Sequence, residues 1–554
     1  MNIVQQEDSC MKPRALGLSV ILLLTSFPLV ATEERCKALQ AVELPDTHIT
    51  SVEWTPADRF VPDPPLPALA LPVPAHCTVS GVISPSPASE IRFEVWLPVD
   101  QWNGKYQGVG NGGFAGRLNR ADMAAAVQRG FATATTDTGH GLVGTEVWAK
   151  NQPEKIRDFG DRAIHLTTVA AKAIVGRYYG RAPARSYFAS CSNGGRQALM
   201  EAQRHPEDFD GIIAGAPAYD WVGAIAGGFA WNAQALFGSS DTAITSAMTP
   251  AVANEVKAQC DLADGLNDGV IADPPRCDLQ ASKSRCPYGK EAGKETDESC
   301  LSARQWSALE AIYQGPHDSK RRPIYPGFSP GGEVGTFPGL GWEGWIFGDA
   351  DKGTHQLFVL RGFMRDFVTG DPHWDFHQFD FDRDYPAVRD RWGPILNATD
   401  PDLTRFFARG GKLILWHGWS DAALPPLGTI RYLDAVLERM GPRARESVRL
   451  FMAPGVQHCV GGPGPYMFNP GPAKPDGRPE SDMGKALEHW VEKDVAPEQI
   501  EAWRPRDLMS ALSGDPDAEI ERTGLLCAYP AIASWDGKGD PKSAASYQCK
   551  TGHQ

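Results

Sequence analysis

No two cysteines of this chain stand two residues apart, so the close C-x2-C pairs of a zinc site are missing. Positive charge is scarce too. The 54 Lys and Arg are outnumbered by 68 Asp and Glu, giving a net charge of −14. That excludes the basic surface nucleic acid requires. After residue 30 no apolar run reaches the roughly 20 residues that span a bilayer. The glycine-rich stretch Gly108-Val-Gly-Asn-Gly-Gly113 lacks the Lys-Ser/Thr of a P-loop and the helical setting of a dinucleotide fingerprint. What is present is globular: 42% of residues are hydrophobic and 22% charged. The 554 residues exceed one ordinary core, which calls for a large domain with an insertion, or for two domains.

The N-terminus reads as a secretory signal peptide over residues 1–31, with Lys12 and Arg14 ahead of an apolar run from Ala15 to Val30. Pro28 interrupts that run, against a retained membrane helix. The expected compartment is therefore extracellular or periplasmic, with no stable membrane insertion once the signal is cleaved. Its removal takes Cys10 with it and leaves ten cysteines, an even number that in an exported chain reads as disulfides. Spacing does not determine connectivity. The local pairs that suggest themselves are Cys36–Cys77, Cys260–Cys277, Cys286–Cys300 and Cys527–Cys549, leaving Cys191 and Cys459.

The chain is organised around Arg185-Ser-Tyr-Phe-Ala-Ser-Cys-Ser-Asn-Gly-Gly-Arg196. A short apolar run meets small residues and then turns helical. A strand bending sharply into a helix with Ser at its apex is the nucleophile elbow of an α/β-hydrolase. Such a turn crowds its own backbone, so the positions two before and two after the nucleophile must be small. Around Ser192 these are Ser190 and Gly194. Around Cys191 the later one would be Asn193, which favours Ser192.

Upstream, Ile91–Val99 and Tyr106–Gly110 read as strands, the second entering the glycine-rich turn. Gly112 and Gly113 there are candidates for an oxyanion N–H, against the plainer reading of a tight turn. Residues 32–90 read as a Pro-rich, strand-poor lead-in. Asp137-Thr-Gly-His140 ends another predicted strand and is taken as structural. Asp161–Tyr179 has helical spacing, with Asp161 as N-cap and Gly180 as stop. Alternating strands and helices imply a parallel sheet. The alternation lapses over residues 220–405, read as an inserted lid between the two parts of a catalytic domain, 32–219 and 406–554. Its tryptophans either wall a binding pocket or fill the lid's own core. The loop from Asp261 to Val270 spaces carboxylates and glycines closely. It suits a hard cation, or is an ordinary surface loop. The sheet resumes at Lys412–Trp416, ending in His417-Gly-Trp-Ser-Asp421. Val448–Met452 then leads to His458-Cys459. The order Ser192, Asp421, His458 is that of α/β-hydrolase triads. If Ser192 and His458 share a hydrogen bond, their neighbours Cys191 and Cys459 come close as well, so the triad and the leftover cysteine pair predict each other.

At these residues the chain resembles the tannase and feruloyl esterase family. The resemblance runs through Trp102-Asn-Gly104, Gly110-Asn-Gly-Gly113, Cys191-Ser-Asn-Gly-Gly-Arg196, Asp208-Phe-Asp-Gly211, Ala214-Gly-Ala-Pro217, His417-Gly-Trp-Ser-Asp421 and His458-Cys459. It implies Ser192 as nucleophile with Asp421 and His458 as partners, and a Cys191–Cys459 bridge. It also implies a structural Ca²⁺ held by the side chains of Asp261, Asp264 and Asp268 and the carbonyls of Leu266 and Val270. Two positions depart from the pattern: Asn193 stands where Thr or Glu is common, and Val460 where Gly is common. The N–H of Asn193 would serve the oxyanion, leaving its side chain to influence substrate choice. The expected activity is hydrolysis of esters of aromatic, phenolic acids such as feruloyl or galloyl esters through an acyl-enzyme. A mono(2-hydroxyethyl) terephthalate-type hydrolase and an acyltransferase are the alternatives on the same triad. A non-catalytic binding protein would tolerate loss of a triad member, and all three are here. Arg304, Arg361 and Arg365 are candidates for a lid cation facing a free carboxylate. Oligomeric state is not encoded in any feature of the sequence.

Overall fold

The computed structural model describes residues 33–61, 71–141, 146–279, 286, 300–348, 353–468, 479–513, 515 and 517–551. The expected signal segment lies outside them. Nine strands form one sheet: β1 (Thr47–Thr55), β2 (His76–Ile83), β3 (Ile91–Pro98), β4 (Lys105–Val109), β5 (Ala132–Thr136), β6 (Arg185–Cys191), β7 (Gly211–Gly215), β8 (Lys412–Gly418) and β9 (Val448–Ala453). Their order is β1-β2-β3-β5-β4-β6-β7-β8-β9. The first three and the β3–β5 pair are antiparallel, and every pair from β5–β4 to β8–β9 is parallel.

The parallel strands are apolar at consecutive positions because both faces are covered. On β8, Leu413 and Leu415 belong to one buried cluster, while Ile414 and Trp416 belong to another. Ile212 and Ile213 on β7, and Leu450 and Phe451 on β9, divide the same way. This is the period-two alternation of a strand read from its two sides. One face takes α1 (Ala163–Tyr179), α2 (Asn193–Arg204) and α3 (Leu427–Met440), through Ile174, Leu199 and Leu433. The other takes α4 (Met483–Lys493), through Leu487 and Trp490.

Two expectations are corrected. The lead-in is not strand-poor: β1 and β2 extend the main sheet, and Cys36–Cys77 ties the chain start to β2. Alternation on β1 is blurred because most of its residues are only half-buried at the sheet edge. Asp161 is not an N-cap. The helix begins earlier, at Pro153, and passes through a π-helical turn over Asp158–Arg162 before α1. Gly180 does end α1 in the left-handed conformation, at φ 71°.

Between Gly215 and Lys412 the named elements are all helical, and strand pairing there is limited to isolated bridges among the described residues. Residue 405, the expected point of return, lies inside the short helix Thr404–Ala408. Trp306, Trp342 and Trp392 are buried in the core, and Trp345 is only partly buried. After β9 come two hairpins, Gln499–Pro505 with Ile520–Cys527 and Ala531–Trp535 with Tyr547–Thr551, linked by Cys527–Cys549.

Candidate active site

Ser192 sits between β6 and α2 with φ 67° and ψ −125°, a conformation that costs a non-glycine residue energy and clusters at functional sites. The turn is held on both sides. Ser192 N–H donates to the Gly215 carbonyl at 2.9 Å, and the Ser192 carbonyl accepts from Arg196 and Ala218. The demand for small residues is explicit. A Cβ on Gly194 would lie 2.0 Å from Ser190 Oγ, and one on Gly195 would lie 2.3 Å from the Gly215 carbonyl oxygen.

The two other residues arrive on loops stitched together at the ends of β8 and β9. Trp419 N–H donates to the Ala453 carbonyl and Ser420 N–H to the Val456 carbonyl. Gly418 permits this approach, since a Cβ there would lie 2.2 Å from the Val456 oxygen. Gln457, fully buried, accepts from Thr336 N–H and donates to the Val334 carbonyl, fixing the loop before His458 to the 220–405 segment. The result is a continuous relay. His458 Nε2 is 2.9 Å from Ser192 Oγ, and His458 Nδ1 is 2.7 Å from Asp421 Oδ2. With the Nδ1 proton donated to Asp421, Nε2 is free to accept the Ser192 proton.

Asp421 is 1% exposed. Burial alone would raise its carboxyl. The charge of His458 and the hydrogen bonds of His417 and His458 overcome burial and hold it well below the ordinary carboxylate range. Its Oδ1 accepts from Ala423 N–H at 2.7 Å and Leu424 N–H at 2.9 Å. His417 Nε2 lies 3.1 Å from the same Oδ2 that His458 engages. His417 was not assigned a role from the sequence. The available signal was its spacing, four residues before Asp421 at the end of a strand.

The bridge expected from the leftover cysteines is present. Cys191 and Cys459 are joined across 268 residues, with Cα atoms 5.9 Å apart. The other four pairs are also joined as the sequence suggests.

Asn193 heads α2, so its N–H has no acceptor within the helix. Its side-chain Oδ1 accepts from Arg196 Nε at 2.8 Å. Arg196 is fully buried and donates to the carbonyls of Phe159, Gly160 and Leu396. Gly112 and Gly113 have open space where a Cβ would stand, and Gly113 has φ 53°. The turn leading to them is held by Gln197, whose Oε1 accepts from Asn111 N–H at 2.9 Å, a support not foreseen from the sequence. Asp137 and His140 are structural: Asp137 accepts from the Arg92 and Gly139 amides, and His140 Nε2 contacts the Phe114 carbonyl at 2.7 Å.

Trp345 brings an aromatic ring from the 220–405 segment onto the relay, edge-on to His458 with centroids 5.6 Å apart. Its indole N–H is buried without a protein acceptor. A separate apolar cleft of about 390 Å³ reaches Gly112, Ser190, Cys191 and Cys459, but neither Ser192 nor His458 lines it. Of the arginines singled out, Arg304 pairs with Asp241 and Arg365 donates to the Trp374 carbonyl. Arg361 forms no ion pair among the described residues.

The loop expected to hold Ca²⁺ offers hard oxygen donors alone. Asp264, Leu266, Asp268 and Val270 line one small cavity, while Asp261 is buried and does not line it. Burial raises the Asp261 and Asp264 carboxyls, and neighbouring carboxylates in the loop add to the shift. Such mutual repulsion suits a divalent cation. The three carboxylates meanwhile accept from loop amides, and Asp268 also pairs with Arg522 at 2.7 Å. The donor types suit a hard cation, while the three carboxylates are not drawn into one cluster among the described residues.

Comparison with known proteins agrees with this architecture. A family model described as tannase and feruloyl esterase matches residues 77–550. An uncharacterized esterase of Xanthomonas campestris pv. campestris is 39% identical over 541 residues, covering 93% of this chain and 91% of that one. The mono(2-hydroxyethyl) terephthalate hydrolase of Piscinibacter sakaiensis is 32% identical over 547 residues, covering 88% and 86%. The crystal structure of feruloyl esterase B from Aspergillus oryzae superposes with a TM-score of 0.81 at 26% identity, covering 94% of this chain and all of that one.

Proposed function

Because the chain belongs to the tannase and feruloyl esterase family and is a carboxylic ester hydrolase, we propose that it cleaves esters of aromatic, phenolic acids with Ser192 as nucleophile. The observation that carries this reading is the unbroken contact from Ser192 Oγ through His458 to Asp421. Ser192 Oγ attacks the ester carbonyl while His458 Nε2 takes its proton. Asp421 holds the imidazole tautomer and stabilises the imidazolium. The amides of Asn193 and of the Gly112–Gly113 turn receive the negative oxygen, each donor worth roughly 10²–10³ in rate. The protonated imidazole then gives its proton to the departing alcohol, and water attacks the acyl-enzyme by the same route.

Trp345 supports a flat aromatic acyl group, since its ring stands against His458. Arg361, which forms no ion pair among the described residues, is the candidate for a second reading. Burial and then the neighbouring Arg365 lower its pKa while Asp375 raises it, and a substrate carboxylate such as that of a terephthalate monoester would add a second counter-charge. Asp261, Asp264 and Asp268, with the Leu266 and Val270 carbonyls, would hold a structural Ca²⁺ that supplies charge to the loop and takes no part in ester cleavage. Five disulfides favour an oxidising compartment and therefore export. Among the described residues no helix is long and apolar enough to cross a membrane.

The test is a panel of methyl gallate, methyl ferulate and mono(2-hydroxyethyl) terephthalate, run with the wild type and Ser192→Ala. The expected result is turnover of at least one phenolic ester, abolished in the variant. Near-normal turnover by Ser192→Ala would overturn the assignment.

A further inference from the structure

The fully buried His417 is a second imidazole on the acid of the relay, and it is absent from the proton path. It lies at the end of β8 and is 1% exposed. Its Nε2 meets two acceptors, Asp421 Oδ2 at 3.1 Å and the Leu424 carbonyl at 3.2 Å. Two acceptors around one ring nitrogen require that nitrogen to carry the proton. Its Nδ1 is 2.7 Å from Thr429 Oγ1 on α3. Asp421 thus receives two amides on one oxygen and two imidazoles on the other, which fills its acceptor sites.

We propose that His417 is a positioning residue for the ester hydrolysis. Its Nε2–H anchors Asp421 Oδ2 and withdraws negative charge from the oxygen that faces His458. The inference rests on the reading of Ser192, His458 and Asp421 as the reacting set. Two consequences follow from sharing one oxygen. The carboxylate cannot rotate away from His458, because four donors at fixed directions hold it. The shared oxygen also presents less negative charge to His458 than an unshared one would. Among the described residues, several titratable groups surround His417. Asp421 and His458 face it directly, and Tyr325 of the 220–405 segment lies near Asp421. The Tyr325 and Tyr219 rings both approach Gly428, beside Thr429. His355 packs edge-on to Trp345, the ring that also meets His458.

The test compares His417→Phe, which keeps a ring and loses the donor, with His417→Gln, which can return an N–H close to the position of Nε2. With wild type alongside, the pH dependence of kcat/KM is recorded on one ester that the wild type turns over. In His417→Phe the acid limb should move to higher pH by about half a unit or more. Its plateau kcat should fall about tenfold or more with KM little changed, since the acid no longer holds the base in place. His417→Gln should recover most of the limb position. Melting temperature and an intact Cys191–Cys459 bridge establish that each variant is folded. If the acid limb stays in place in a folded His417→Phe, or moves equally in both variants, the proposal is wrong. If His417→Phe does not fold, the comparison of His417→Gln and His417→Asn decides it, because Asn cannot reach Oδ2: equal profiles overturn it. Ser192→Ala separates this from the parent reading, because activity surviving in that variant rejects the reacting set itself, whatever His417 does.

Discussion

The Cys191–Cys459 bridge joins the residue immediately before Ser192 to the residue immediately after His458. It therefore holds two loops at the ends of β6 and β9 at the distance that lets a hydroxyl meet an imidazole. Cys459 itself has φ 64°, and the Val460 N–H turns back onto the His458 carbonyl at 2.8 Å. The double variant Cys191→Ala/Cys459→Ala should lose about 2–5 kcal/mol of stability. Its kcat should fall by about tenfold or more, since a misplacement of about 1 Å can cost roughly a hundredfold. Thermal melts and steady-state kinetics at a temperature where the variant stays folded check both.

The elbow tolerates no added methyl group. Gly195→Ala would press a Cβ to 2.3 Å from the Gly215 carbonyl oxygen, which is backbone and cannot rotate aside. Gly194→Ala meets Ser190 Oγ at 2.0 Å. We expect Gly195→Ala to cost about 3 kcal/mol or more, at the upper end of overpacking, and to abolish esterase activity. Gly194→Ala should be partly rescued by Ser190→Gly, which removes the obstructing hydroxyl. Melting temperatures of the two singles and the double measure this.

Asp137 gives stability a pH dependence separate from catalysis. Burial raises its carboxyl to about 7, against the Gly139 and Arg92 amides that favour the anion. The folded protein then keeps a proton that the unfolded chain releases above about pH 4. The contribution is complete below that pH and is lost as pH rises through about 7. Asp137→Asn keeps the acceptor oxygen for both amides and removes the titration. Its melting temperature should decline less than that of the wild type between pH 5 and pH 8. Parallel declines would assign the effect to other groups.

Chelation should act on stability before chemistry. With EDTA, the melting temperature should drop, while kcat on a small ester well below that temperature changes less than about twofold. By linkage, adding Ca²⁺ at a hundred times its Kd would restore about 2.7 kcal/mol. Asp264→Asn should weaken the response to Ca²⁺, because it removes a charged oxygen donor without changing shape. A melting temperature indifferent to both EDTA and Ca²⁺ would leave the loop as an ordinary Asp/Gly surface turn.

Much of this protein was determined by local sequence. Small residues around Ser192, the apolar runs of β6 to β9 and the chain order Ser192, Asp421, His458 are all short-range patterns. They could be read because a buried parallel strand and a crowded turn each restrict residue type within a few positions. Tertiary structure decided what depends on approach from elsewhere in the chain. β1 joined the sheet although its alternation is weak, because an edge strand buries only part of one face. Trp345 came to His458, Gln197 to Asn111, and His458 to the oxygen that His417 also holds, by folding across tens of residues or more. A side chain's type announces which bonds it can make. Only packing selects the partner, because many donors and acceptors in a chain of this length are chemically equivalent until the fold brings particular ones together.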